Sequence, residues 1–283
     1  MAITAQAVKE LRDRTGAGMM DCKKALTETG GDLEEAIKYL RTKGLAAAAK
    51  KAGRAANDGM VKIVGDGEKM AILELNCETE PVSKLDEFRQ FGDVLADQAL
   101  SSDAASVDEL KTQAFSADPE HTVEESVSLK ISMIGENIVL NRCEVVDAAA
   151  GNSLASYVHM GGKIGVIVEG SGGATPEALH DVALHVAASE PRYVSRDEVT
   201  DDLLETEREI ALRQAMEQGK PEEIAKKIVA GKMEKFFVQE VLLEQPFAKD
   251  PSKSVSQFLK EVAGDNATIT RMVRYKLGES RDG

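Results

Sequence analysis

The chain has no tryptophan, and aromatic residues make up only 4% of it. Stacking platforms for bases or sugars are therefore scarce. Cysteines number three, Cys22, Cys77 and Cys143. They are odd in count and widely spaced, so neither a disulfide framework nor a zinc site is indicated. No apolar run approaches the roughly 18 residues of a membrane span. Lysines and arginines occur from Lys9 onward without an apolar segment of signal-peptide type, so the expected location is the cytoplasm, away from membranes. Basic residues are outnumbered, 35 against 49 acidic, for a net charge of −14. Nucleic acid as a direct partner is disfavoured, because phosphate binding needs a basic footprint. The basic cluster between Lys43 and Arg54 is a local exception.

Motifs of catalysis are also missing. His180 and His185 are five apart, off the spacing of one helix face, and His121 and His159 are isolated. No nucleophile elbow, paired-cysteine, zinc-protease, P-loop or dinucleotide fingerprint is present. The glycine-rich stretch 170–173 has no adjacent lysine to support phosphate binding. No metal site and no cofactor are expected, and a binding protein is.

What is present is a patterned chain with 42% hydrophobic and 30% charged residues, long enough for two domains. Thr4 precedes a helix with Val8 and Leu11 on one face, which Gly16 and Gly18 break. A second helix carries Cys22, Ala25 and Leu26, and Gly30-Gly31 stops it. Asp32 with Glu35 has capping-box spacing. Leu33, Ala36, Ile37 and Leu40 then form the stripe of a third helix that Gly44 is expected to end. Residues 1–45 thus read as a small three-helix module resembling the ubiquitin-associated fold. Residues 46–58, alanine-rich with Lys50, Lys51 and Arg54, read as a mobile linker.

Residues 59–148 read as a first core subdomain. Met60–Val64 and Lys69–Asn76 flank Gly65-Asp66-Gly67, a strong hairpin signal. A polar loop at 77–85 leads to a helix from Asp86, and helices near 107–115 and 123–134 and a strand at 138–146 follow. The pattern returns after residue 149: strand, Gly161-Gly162 turn, strand, loop, helix. We read this as a weak duplication, two α+β subdomains side by side, the second made of 149–200 and 244–278. Residues 201–243 form an antiparallel helical hairpin with Pro221 at a favoured first position. This arm offers a dimerisation or docking surface. Thr268–Leu277 alternates as a strand, and 279–283 is a polar tail. The fold class is α+β.

Leu11-Arg-Asp-Arg-Thr-Gly-Ala-Gly-Met-Met-Asp-Cys-Lys-Lys-Ala-Leu26 resembles the N-terminal signature of the translation elongation factor Ts family of bacteria. Glu74-Leu-Asn-Cys-Glu-Thr79 matches the start of the family's second signature. Tyr157–Val166, His185–Ser189, Gly219-Lys-Pro and Arg274-Tyr-Lys-Leu-Gly278 are similar to further family segments. The resemblance implies a guanine-nucleotide exchange factor whose partner is the GTPase elongation factor Tu. Such a factor displaces the partner's Mg²⁺ and promotes GDP release, with no covalent chemistry of its own. The family's second signature continues Thr-Asp-Phe-Val, and its Asp-Phe pair enters the partner beside the nucleotide. Here the matching residues are Thr79, Glu80, Pro81 and Val82. The acid is kept one carbon longer and the aromatic wedge is proline. A buried Phe side chain is worth roughly 1.5–3 kcal/mol, about tenfold to a hundredfold in an equilibrium. Three readings stand open: a stiffer, smaller wedge; a partner pocket matched to proline; or a factor that binds the GTPase, as a chaperone does, without exchanging well. The resemblance also implies partner contacts at Arg12, Thr15, Gly16, Met19 and Met20, at His159, Met160, Gly161 and Gly162, and along the C-terminal strand.

Overall fold

The structure is a computed structural model that describes residues 3–104, 106–218 and 221–279. Gly219 and Lys220 of the expected arm turn, and tail residues 280–283, lie outside the described residues.

The chain opens with three helices. In α1 (Ala5–Thr15) the Thr4 side chain accepts the Ala7 N–H, and Gly16 closes the helix in the left-handed region at φ 64°. Helix α2 (Met19–Glu28) follows. Helix α3 (Leu33–Lys51) starts at Asp32, whose side chain accepts the Glu35 N–H. Val8, Leu11, Cys22, Ala25, Leu26, Ala36 and Leu40 close a small core. Gly44 does not end α3, contrary to expectation. The helix runs on through Ala46–Ala49, the residue type with the highest helix propensity, into the segment expected to be a mobile linker. Gly44 is instead a packing position: a Cβ there would lie 3.3 Å from Leu129 Cδ2.

Next comes the hairpin β1 (Asp58–Gly65) and β2 (Lys69–Cys77). A one-turn helix, α4 (Glu80–Ser83), lies within the expected polar loop 77–85. Helices α5 (Asp86–Ser102) and α6 (Val107–Thr112) follow. A small hairpin, β3 (Ala114–Phe115) and β4 (Asp118–Thr122), leads into α7 (Val123–Ile134) and β5 (Ile138–Asp147). The second half repeats this with β6 (Ser153–His159), β7 (Ile164–Ser171) and α8 (Pro176–Ser189). The arm helices α9 (Asp201–Glu217) and α10 (Glu222–Glu240) come next. A second small hairpin, β8 (Pro246–Phe247) and β9 (Asp250–Ser254), then leads into α11 (Val255–Ala263) and β10 (Thr268–Lys276).

Two antiparallel three-stranded sheets result, ordered β1-β2-β5 and β10-β7-β6. Each places the second strand of its hairpin at the centre. They pack face to face through Val61, Ile72, Val146, Leu154, Ile167 and Val273. The approach is close: a Cβ on Gly165 would lie 2.5 Å from Val61 Cγ1. The other face of the first sheet, with Ala71, Leu73 and Leu75, lies under Phe88, Phe91 and Leu95 of α5 and Ile131 of α7. The second sheet is covered by Leu179, Val182 and Val186 of α8 and Leu259 of α11. Four layers, helix, sheet, sheet, helix, bury β2 on both faces, and Met70 through Cys77 are all buried. The strand that carries the second signature is therefore the most enclosed in the molecule's first half.

The three-helix module lies on this core. Arg41 pairs with Glu125 of α7, and Lys51 Nζ donates to the Ile131 carbonyl at 3.3 Å.

Candidate functional site

Strand β2 delivers Cys77 to the edge of the core, and Cys77 Sγ donates to the Thr79 carbonyl at 3.3 Å. Burial pushes that thiol up to about 12, so it is no nucleophile. The chain then turns at Thr79, which has extended backbone angles, and Pro81 stands in the first turn of α4. Proline suits that place because its missing N–H has no helical acceptor there. Val82 is half-buried against the first core, whereas Thr79, Glu80 and Pro81 are exposed. The tip is thus one helical turn with an acid and a proline outward and a valine inward.

Glu80 meets Lys84 at 2.9 Å, one helical turn away. The hydrogen bond and charge of Lys84, with the charge of Lys163, hold the Glu80 carboxyl below its ordinary range. It is ionised at neutral pH. Lys163 belongs to the turn between β6 and β7, so the structure brings Glu80 and the tip of the second hairpin to one rim. At the end of β6, Tyr157 Oη lies 2.9 Å from His159 Nδ1. The Gly162 carbonyl accepts the Val61 N–H at 2.6 Å. Met160 is 71% exposed and adopts φ 50°. His159 and Gly162 are therefore anchored, and Met160 projects. The C-terminal strand ends on the same rim, where the Leu277 N–H donates to the Lys163 carbonyl at 3.0 Å.

The module's residues are divided. Met19 and Met20 are 60% and 74% exposed, an unusual pair of apolar side chains in water. Arg12 is exposed. Thr15 turns inward and donates its hydroxyl to the Leu11 carbonyl at 2.7 Å. Gly16 is exposed but stands against α7, since a Cβ there would come within 2.6 Å of Met133 Cε. At the far end of the module Arg54 reaches Glu78 at 3.4 Å, beside the turn at Thr79–Val82.

A clamp under the turn escaped sequence reasoning. Glu136 accepts the N–H groups of Glu78 and Thr79 at 3.1 and 3.0 Å and the Thr79 hydroxyl at 2.6 Å. Glu78 in return accepts the Asn137 N–H at 2.7 Å, which holds the Glu78 carboxyl below its ordinary range, helped by Arg54. Nothing local in the sequence signals this, because the partners are 57 to 59 residues apart. Among the described residues no cluster of three His, Cys, Asp or Glu could hold a metal ion, and no helix is long and apolar enough to cross a membrane.

The family model described as Elongation factor TS matches residues 78–279, well over half of the chain and the whole of the exposed turn 79–82. The chain belongs to the elongation factor Ts family. Its place is in translation elongation, its partner is elongation factor Tu, and its role is nucleotide exchange on that GTPase rather than catalysis of a covalent step. The matched span begins at Glu78, where the exposed turn leaves β2.

Proposed function

We propose that this chain accelerates GDP release from elongation factor Tu by pressing the turn Thr79–Val82 in beside the partner's nucleotide. Glu80 and Pro81 lead, and Val82 braces the turn against the core. The partner's Mg²⁺ bridges phosphates to the switch elements, so moving its ligands aside loosens both. The coupling is reciprocal: the factor binds the nucleotide-free partner more tightly, and GDP correspondingly binds the complex less tightly. The observation that carries this reading is the exposed, ionised Glu80 beside Pro81 on a helical turn whose base is tied to the core. Proline stiffens the turn and supplies part of the apolar area that a phenylalanine would.

Around the wedge, Met160 and Gly161 extend the contact from the second hairpin, with His159 and Gly162 as their supports. Arg12, Met19 and Met20 supply a second contact from the module. Thr15 and Gly16 shape the loop that presents those residues.

The test is release of fluorescent GDP from the cognate GTPase with the natural factor, Glu80→Ala and Pro81→Phe. Acceleration by the natural factor and its loss in Glu80→Ala are expected. A faster Pro81→Phe means the proline wedge is the weaker one, and a slower variant means the partner's pocket fits proline. Complex formation with unchanged GDP release at saturating factor overturns the reading in favour of a binding partner without exchange activity.

A further inference from the structure

A wedge displaces its target only if its own base does not yield. The differential free energy that the factor applies to the nucleotide site is limited by whatever it loses in deforming itself. The base of this wedge is one residue pair long, and its restraints are few and identifiable. Two successive backbone N–H groups, of Glu78 and Thr79, converge on one oxygen of Glu136, and the Thr79 hydroxyl binds the other. Hydrogen bonds to an ionised acceptor are the stronger kind. The return bond from the Asn137 N–H to Glu78 crosses the first set. Each strand end thus holds the other's backbone with a carboxylate. Glu136 is itself fixed on both sides: Gly135 closes α7 at φ 90°, and β5 begins at Ile138. Helix α7 also carries the three-helix module through Glu125, Leu129 and the Ile131 carbonyl.

We propose that Glu136 is a positioning residue for nucleotide exchange: it touches neither nucleotide nor metal, and it holds the backbone of Glu78–Thr79 rigid so that Glu80 and Pro81 deliver their push. The proposal rests on the wedge reading above. It separates two quantities. Affinity for the partner comes from the whole surface, including the module and the second hairpin. The maximal rate of GDP release comes from the wedge. Loosening the wedge's base lowers the second and spares the first.

The experiment measures fluorescent-GDP release against factor concentration for the natural factor, Glu136→Gln, Glu136→Asp and Thr79→Val. Glu136→Gln loses the charge and turns one acceptor into a donor that faces the Thr79 hydroxyl or the two amides. Its maximal rate is expected to fall about tenfold, with the half-saturating concentration changed by less than about threefold. Thr79→Val, at an exposed position, is expected to lower the maximal rate by a smaller factor, and its effect is expected to shrink when it is combined with Glu136→Gln. Glu136→Asp keeps the charge but shortens the reach, and is expected to fall between the natural factor and Glu136→Gln. An unchanged maximal rate in Glu136→Gln, or a loss confined to the half-saturating concentration, overturns the proposal. Should Glu136→Gln fail to fold, Thr79→Val decides: an unchanged maximal rate there overturns it equally. Glu80→Ala in the same assay tells this failure from that of the wedge reading. If Glu80→Ala slows release and Glu136→Gln does not, only the positioning role falls. If neither slows it, both fall together.

Discussion

Gln98 and His185 hold the same post in the two halves of the core. Gln98 of α5 accepts the Ser116 N–H at 2.8 Å and approaches the Gln113 side chain at 3.2 Å. His185 of α8 accepts the Ala248 N–H on Nδ1 at 3.0 Å and meets the Gln245 side chain at 2.8 Å. Each is buried, and each organises the small hairpin that follows. Because Nδ1 accepts, Nε2 carries the proton and donates to Gln245, so the imidazole is neutral. Its burial pushes the pKa below the ordinary value of 6.5.

A pH dependence follows from that neutral ring. A histidine whose pKa is lowered on folding binds fewer protons in the native state than in the unfolded one. Its contribution is complete above the unfolded value of 6.5 and is lost as pH falls below it. His185→Gln borrows the solution used in the other half. It is expected to leave stability at pH 7.5 within about 1 kcal/mol and to flatten the decline in melting temperature between pH 7 and pH 5. His185→Leu leaves buried partners unpaired and is expected to cost about 1–3 kcal/mol at either pH. Thermal melts of the three proteins across that range decide it, and a His185→Gln curve parallel to the natural one counts against the account.

A second prediction concerns β2, the strand that leads into the turn at Thr79–Val82. Glu74 of β2 is fully buried and pairs with Arg142 of β5 at 2.7 Å. Arg142 also lies 4.1 Å over the Tyr275 ring and donates to the Lys276 carbonyl at 3.1 Å. One guanidinium ties both sheets together beneath the rim. Arg142→Met strands a buried carboxylate and is expected to cost roughly 3–5 kcal/mol. The double variant with Glu74→Gln is expected to recover part of that loss, because no uncompensated charge is left behind. Urea unfolding of the single and double variants measures it, and additive losses contradict it.

The history of these elements in the sequence is uneven, and the reasons are physical. Helix α7 was legible at both ends because Thr122 and Glu125 form a complete capping box and Gly135 closes it. The first hairpin is legible because Gly65-Asp66-Gly67 separates an alternating run from an apolar one. Gly44 misled because its usual meaning, a helix stop, is local, and here a contact with Leu129 outweighs it. The two small hairpins carry no strand signal of their own, because the first strand of each has two residues and the second is mostly exposed, without alternation. Their signal was a repeat: Phe115-x-x-Asp118-Pro119-x-x-Thr122-Val123 returns as Phe247-x-x-Asp250-Pro251-x-x-Ser254-Val255, with matching pairs in register. That repeat also fixes where the arm is inserted, just before the second copy. Of the rim, Glu80 and Pro81 could be read from a motif, whereas Glu136 and Lys163 reach it only through tertiary pairing.

The arm's root gives a third prediction. Arg196 binds both carboxylate oxygens of Glu234, pairs with Glu244, and lies 4.0 Å over the Phe237 ring. Its neighbours also join where the chain leaves and re-enters the core, with the N–H groups of Arg192 and Tyr193 on the Glu240 carbonyl. Lysine cannot reproduce a bidentate fork and a stack at once. Arg196→Lys is therefore expected to raise amide hydrogen exchange in the last turns of α10 and the first turn of α9 severalfold. The amides of β2 and β7 are expected to keep their protection, because neither central strand touches this cluster. Uniform loss of protection across the core would show that the arm is not an independent unit.

The seam between the module and α7 gives a fourth prediction. Alanine at Gly44 gains about 1 kcal/mol of helix propensity and asks only a few tenths of an ångström from Leu129 Cδ2, the free end of a flexible side chain. Gly44→Ala is expected to raise the melting temperature slightly. Leucine at the same place collides with Leu129 and Ser132 and is expected to cost about 1–3 kcal/mol through overpacking. It is expected to push α3 off α7 while leaving Glu136 and the turn at Thr79–Val82 in place. If the module supplies affinity and the wedge supplies the push, Gly44→Leu raises the half-saturating concentration of factor in GDP release severalfold and leaves the maximal rate near its natural value. That is the reverse of the pattern expected for Glu136→Gln. A fall in maximal rate with unchanged half-saturation would mean that the docked module, through Arg54 and Glu78, helps hold the wedge itself.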